Sequence, residues 1–294
     1  MVLAGCGGEL VQSGSAPTST TAAPTTIAAP MTPSTVNTTT TVPPTTTSTT
    51  AARTTTTTST TPPSTTTSTT VAPPPTTTTP DPAESHVLEL GDEGRAVADL
   101  QRRLETLRFW VGPVDGVYGW LTEQAVYAFQ KANGLSVDGR VGPETRAALA
   151  SPVTLSPRSQ EGRVTEIDKR RQLLHSVLNG ELQWVFHTST GTEVPYQHPD
   201  GQTAMADTPL GSHTVYYQVD GWQDGRLGPM YRPKYFHYDG IAVHGYHAIP
   251  PHPASHGCAR VTFEAIDFIW ANDLMPIGSV VLVYGESPEP APAV

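Results

Sequence analysis

The sequence predicts a mainly β, sandwich-like C-terminal domain preceded by a small three-helix module, both carried on a disordered N-terminal tether. Three observations set that reading. Residues from 12 to about 80 are almost entirely Thr, Pro, Ser and Ala, with Arg53 the single charge. Between 86 and 150, apolar side chains recur at spacings of three and four, the period of a helix face. Beyond about 160 the pattern changes to short β-branched and aromatic runs bounded by turn residues.

In chain order, residues 7–85 hold too little apolar surface to offset their chain entropy and are expected to be disordered. Proline biases such a tract toward polyproline II at about 3.1 Å per residue, giving a reach of up to roughly 200 Å when fully extended. Its Thr and Ser also invite O-glycosylation, although an unmodified spacer fits equally well. In the module, residues 86–152, Val97, Leu100, Leu104 and Leu107 form one stripe of a first helix. A second runs from about Thr122 to Asn133, with Ala125, Val126 and Phe129 inward and Gly134 as its stop. Pro143, favoured in a first turn, opens a third helix to about Leu149. The module echoes itself: Val114-Asp115-Gly116, Gly119, Thr122 and Ala125 match Val137-Asp138-Gly139, Gly142, Thr145 and Ala148. In each copy Asp-Gly makes a turn and a helix follows.

The β domain is placed at 160–285, with 286–294 a disordered tail. Arg171 to Val177 and Glu181 to Thr188 are strands joined by Asn179-Gly180, the strongest short hairpin signal. Ser212 to Val219, opened by the turn Thr208-Pro209-Leu210-Gly211, Gly240 to His244, and Ser279 to Tyr284 are further strands. One helix, capped by Thr262, turns Phe263, Ile266, Ile269 and Trp270 to the core. Trp184 and Trp222 also read as core.

The net charge is −10, and no basic patch stands out, so no nucleic-acid partner is expected. No apolar run approaches the roughly 20 residues that span a bilayer. There are two cysteines, Cys6 and Cys258. Cys258 lies in Ser255-His256-Gly257-Cys258-Ala259-Arg260, with His244-Gly245 upstream. A thiol becomes a strong nucleophile as a thiolate, and a nearby imidazole is a common way to make one. His237, His247 and His252 are also near in sequence, but their spacing fits no zinc signature. No metal or cofactor is expected.

Several stretches carry family resemblances. Leu3-Ala4-Gly5-Cys6 looks like the lipobox of bacterial lipoproteins, which makes residues 1–6 a signal remnant and Cys6 a lipidation site. A chance tetrapeptide is the alternative. The repeated module, with Leu90-Gly91 and Leu100-Gln101, resembles the peptidoglycan-binding domain of wall enzymes. That resemblance implies binding to stem peptide or glycan; a purely structural repeat is the alternative. The C-terminal segment resembles the L,D-transpeptidases (YkuD-like). The matching residues are Thr208-Pro209-x-Gly211, Tyr231-x-Pro233-x-Tyr235-Phe236, Gly240 to Gly245, Pro253 to Val261, and Gly278-x-x-Val281.

The resemblance implies Cys258 as nucleophile, His244 as base, and the Gly245 carbonyl as the group fixing the imidazole tautomer. His256 and Gly257 would shape the pocket, with Ser255 and Tyr235 beside the substrate. Backbone N–H groups near Gly257 and Cys258 would form an oxyanion hole, and Gly257 would let the chain approach the substrate closely. Arg260 would pair with a substrate carboxylate or with an internal acid. Tyr231, Tyr235 and Phe236 read as pocket wall and core. The implied reaction is a 3→3 peptidoglycan cross-link formed through a cysteine thioester with release of D-Ala, with carbapenem sensitivity. An L,D-carboxypeptidase using water, or an inactive lipid-anchored wall-binding protein, are the rivals. The implied location is the cell envelope, facing the wall and anchored to the membrane through Cys6.

Overall fold

The computed structural model describes residues 86–198 and 200–288, all within one compact unit, Pro74–Val294. Cys6, the whole 7–85 tether and the tail beyond 288 lie outside the described residues.

Three helices build the N-terminal module: α1 (Arg95–Thr106), α2 (Trp120–Asn133) and α3 (Pro143–Ala150). Their inward stripes are as the periodicity predicts, with Val97, Leu104, Val126 and Phe129 fully buried. Gly134 ends α2 at φ 68°, the left-handed geometry glycine favours. The internal repeat has a structural cause. Gln101 and Gln130, each 1 % exposed, clamp the two Asp-Gly turns identically. Gln101 Nε2 donates to Asp115 (2.9 Å) and Thr122 (3.0 Å), while Gly116 N–H donates back to Gln101 Oε1 (2.9 Å). Gln130 does the same with Asp138 (2.7 Å), Thr145 (3.3 Å) and Gly139 N–H (3.0 Å).

The β domain starts with β1 (Arg163–Asp168), β2 (Leu173–Leu178) and β3 (Glu181–His187), then a small hairpin of β4 (Pro195–Gln197) and β5 (Thr203–Met205). It continues through β6 (Gly211–Thr214), β7 (Tyr217–Gln218), β8 (Trp222–Gly225), β9 (Gly228–His237), β10 (Ile241–Gly245), β11 (Ala259–Val261), α4 (Phe263–Ala271) and β12 (Val280–Tyr284). One five-stranded sheet runs β3-β2-β1-β12-β6, and the other runs β11-β10-β9-β7 with β8 also paired to β9. Ile167, Phe186, Val215, Val243, Val261, Ile266 and Val281 are packed in one core. Each such side chain taken out of water contributes roughly 1.5–3 kcal/mol. Asn179 and Gly180 both have positive φ (51° and 82°), as the hairpin turn between β2 and β3 demands.

Module and β domain are not separate bodies. Trp110 N–H donates to Val185 O (2.9 Å) and Val185 N–H to Arg108 O (2.8 Å), so the chain after α1 covers edge strand β3. Leu173 and Val185 belong to the module's own apolar cluster.

The structure corrects four sequence readings. The stretch Ser212 to Val219 is not one strand: the chain changes sheets at fully buried Val215, so β6 pairs with β12 and β7 with β9. Two central strands escape the sequence patterns. β1 carries buried Glu166 and Asp168, and β9 contains Pro229 and Pro233 with Arg232 at φ 49°. Trp222 is not core but 61 % exposed, lying on Tyr231 and Phe263. Phe263 is half-buried against Trp222 and Tyr231 rather than in the core. Trp184 and Trp270, though half-buried, pack on the core as expected, and Ala265, Ile266 and Ile269 carry the inner face of α4.

Candidate active site

The strand that carries the predicted imidazole and the strand that follows the predicted thiol lie side by side: β10 and β11 pair in parallel, with Val243 opposite Ala259 and His244 opposite Arg260. A parallel pair needs a crossover of roughly a dozen residues, which explains the long gap from His244 to Cys258. Side chains alternate across a strand. Val243, Ala259 and Val261 therefore go to the core, while Ala242 lies on the opposite face with Tyr235 and Met230, and Cys258, just before β11, touches both groups. In that register His244 and Arg260 fall on the same face as Cys258.

His244 is buried, and its Nδ1 lies 3.0 Å from the Gly245 carbonyl. A carbonyl only accepts, so Nδ1 carries the hydrogen and Nε2 is the basic nitrogen. Burial lowers His244 to about 4, against a small upward pull from the Gly245 carbonyl. Burial also raises the Cys258 thiol, opposed by the Ala242 N–H and the Arg260 charge. Both shifts favour the uncharged forms, a thiol and a free imidazole. Gly245 admits no side chain, because a Cβ there would lie 2.8 Å from Ile266 and 2.9 Å from Phe263.

The loop that carries Cys258 is held by side chains of several elements. Ser255 Oγ donates to Cys258 O (2.6 Å) and accepts from Gly257 N–H (3.0 Å). That occupies one of the two amides expected for an oxyanion hole. Gly257, at φ +141°, has a different reason to be glycine than the sequence suggests: a Cβ would lie 2.6 Å from Asp207 O. The close approach is to the protein's own backbone. Thr208, the first residue of the Thr-Pro-x-Gly stretch, donates to Gly257 O (2.6 Å) and accepts from Gly191 N–H (3.0 Å). Lys169, 2 % exposed, in turn holds Thr208 O (2.8 Å), Asp207 (2.6 Å) and Glu193 (2.5 Å). Ser189 and Thr190 bind the loop through Arg260 N–H (3.0 Å) and Ser255 N–H (3.0 Å). Sequence reasoning missed Lys169 and the Thr188-Ser189-Thr190-Gly191 run. A row of small hydroxyl residues at the end of an apolar strand was the available signal.

Arg260 has no carboxylate partner among the described residues. It donates to Ala254 O (3.0 Å) and lies 4.1 Å over the Tyr246 ring, and its Nε is buried without a partner. His256 is exposed at the rim, its ring 4.5 Å from that of Tyr196 on β4. Burial and the Arg260 charge lower it. Tyr235 is buried and raised to about 12 by that burial. Phe236 is core, and Tyr231 is half-buried. His237 stacks edge-on with His213, and among the described residues no group of three or more His, Cys, Asp or Glu is placed to hold a metal ion.

A two-sheet domain with a thiol and a neutral imidazole on one sheet face, joined to a helical module, defines the class. Residues 162–283 match the L,D-transpeptidase catalytic domain family (YkuD), and residues 93–149 match the peptidoglycan binding domain family. The L,D-transpeptidase structure (residues 123–326) from Xylanimonas cellulosilytica is 45 % identical. The match covers 68 % of this chain and 98 % of that one, with a TM-score of 0.65. The chain belongs to the L,D-transpeptidase (YkuD) family. Curated relatives match over shorter stretches. A spore cortex-lytic enzyme of Halalkalibacterium halodurans is 44 % identical over 63 residues, 21 % of this chain and 19 % of its own length. The N-acetylmuramoyl-L-alanine amidase CwlM of Mycobacterium tuberculosis is 46 % identical over 56 residues, 19 % of this chain and 14 % of its own. The chain thus spans under a fifth of either relative's length.

Proposed function

We propose that the protein is an exported L,D-transpeptidase that forms 3→3 cross-links in peptidoglycan. The observation that carries this reading is the shared face of Cys258 and His244, with His244 Nδ1–H directed at the Gly245 carbonyl. The donor is a tetrapeptide stem ending in diaminopimelate and D-Ala. Cys258 Sγ attacks the diaminopimelate carbonyl as His244 Nε2 takes the thiol proton. The tetrahedral intermediate collapses, the imidazolium returns that proton to the departing D-Ala amine, and a thioester remains. The amine of a second stem then attacks, His244 takes its proton, and collapse gives the amide and restores the thiol. Because Gly257 N–H is already engaged, the Cys258 amide is the better donor to the developing oxyanion. Arg260, lacking an internal acid, is assigned to a stem carboxylate. His256, Ser255 and Tyr235 border the donor. Cys6 is assigned as the lipid anchor and the tether as the spacer from membrane to wall.

Mass spectrometry of products from a purified disaccharide-tetrapeptide tests the reading. A dimer that has lost one D-Ala, absent with Cys258→Ala, is the expected result. Free D-Ala with monomeric tripeptide and no dimer would replace it with an L,D-carboxypeptidase. No thioester and no faster thiol labelling than an ordinary exposed cysteine would mean an inactive site.

A further inference from the structure

A cavity that this chemistry does not use lies at the seam between the helical module and the β domain. It is an open cleft of about 460 Å³, within the range of small-ligand sites. Its walls come from both segments: Glu105 and Trp110 from α1 and the chain after it, Trp184 from β3, and Glu264, Asp267 and Phe268 from α4. Neither segment forms it alone. Trp110 and Trp184 both pack on Phe268, with ring centroids 5.7 Å and 5.4 Å away, so the indoles are fixed walls. Each indole is half-buried, leaving ring surface to the cavity. Asp267 is bound to Arg232 at 2.7 Å. Glu105 and Glu264 are exposed at the rim and have no ion-pair partner among the described residues. No Lys or Arg lines the cavity.

We propose that this cavity is a saccharide site that takes the glycan strand of peptidoglycan, seating a neutral N-acetylated pyranose against the Trp110 and Trp184 rings. The inference rests on the reading that peptidoglycan is the substrate, and it adds where the sugar is held. A pyranose offers its C–H face to the electron-rich face of an aromatic ring. Its hydroxyls donate to ionised carboxylates, which only accept. A stem peptide is the poorer ligand, because it has no pyranose face to lay on the two indoles and its carboxylates would face Glu105 and Glu264. Binding here would engage the helical module and the β domain at once, while the stem of the same or a neighbouring strand reaches Cys258.

The test uses the full chain with Cys258→Ala and ¹⁵N-labelled indoles, titrated with chitotetraose. Trp110→Phe and Trp184→Phe assign the two signals. The expected result is a joint, saturable shift of the Trp110 and Trp184 indole N–H, with exposed Trp222 unmoved. Glu105→Ala/Glu264→Ala should weaken binding by about tenfold, the worth of one charge-assisted hydrogen bond. Absence of a saturable shift, or equal movement at Trp222, overturns the site. Saturation by a tri-lysine peptide with chitotetraose inert overturns the saccharide assignment. Acylation of native Cys258 by a sugar-free stem should be unchanged in Glu105→Ala/Glu264→Ala. Failure of acylation in the native chain would sink the catalytic reading and leave the titration standing.

Discussion

The two buried glutamines of the helical module and the polar chain that ends at Cys258 in the β domain use buried polar groups in opposite ways. In the module, Gln101 and Gln130 each lock an Asp-Gly turn through a loop of hydrogen bonds that closes on itself. In the β domain a polar chain runs from Lys169 through Thr208 and Gly257 to Ser255 and Cys258, and the face it supports is left open. Arg260 Nε is buried without a partner, and His244 keeps Nε2 as a base. A closed network fixes backbone geometry. An open one carries the desolvation cost of unpaired groups and keeps them available to a ligand.

That contrast can be broken at several points. The largest effect should come from the open end. Cys258→Ala should abolish thioester formation, and His244→Ala should slow it by about 10²- to 10⁴-fold, the usual span for a general base. Cys258→Ala should keep the native melting temperature, while His244→Ala, which leaves Gly245 O without its buried partner, should lower stability by about 1–3 kcal/mol and still fold; intact-protein mass spectrometry and a thermal melt check the pair. Wild-type acylation by His244→Ala would remove the imidazole from the chemistry.

Thr208→Val cuts the support chain. It leaves Gly257 O and Gly191 N–H without their buried partner, so stability should fall by about 1–3 kcal/mol, and acylation should fall with it. Gln130→Ala opens the closed network instead. It should cost a similar amount, about 1–3 kcal/mol, yet leave acylation by a small soluble stem unchanged. If both variants lose activity equally, the two networks are not functionally distinct.

The pH profile sharpens the same point. A depressed imidazole must be neutral to act as base, so acylation should rise with pH through about 4 and run flat through neutrality. The raised thiol adds no second rise in that window. A rising limb near the ordinary histidine range would show that His244 is not held in a buried, neutral state. The smallest change is expected from His256→Ala. An exposed ring resting on Tyr196 should alter acylation only a few-fold.

Much of the module was legible because helix contacts are local. The stripe Val97, Leu100, Leu104 and the stop at Gly134 follow from neighbours within one or two turns. The role of Gln101 was not legible, since its partners Asp115 and Thr122 lie beyond α1. In the β domain, alternation and Asn-Gly identified the edge hairpin. The central strands β1 and β9 did not show, because buried charge and proline mask the period.

The sequence by itself determined the fold class, the helices and the family, because those are written in local periods and a dense ordered motif. Tertiary structure alone decided which strands lie at the centre, why Gly257 must be glycine, that Lys169 supports the Cys258 loop through Thr208, and that a cavity forms at the seam. Those depend on strand register and on contacts between residues far apart in the chain, where one residue of slip would exchange His244 and Val243 between the two faces of the sheet.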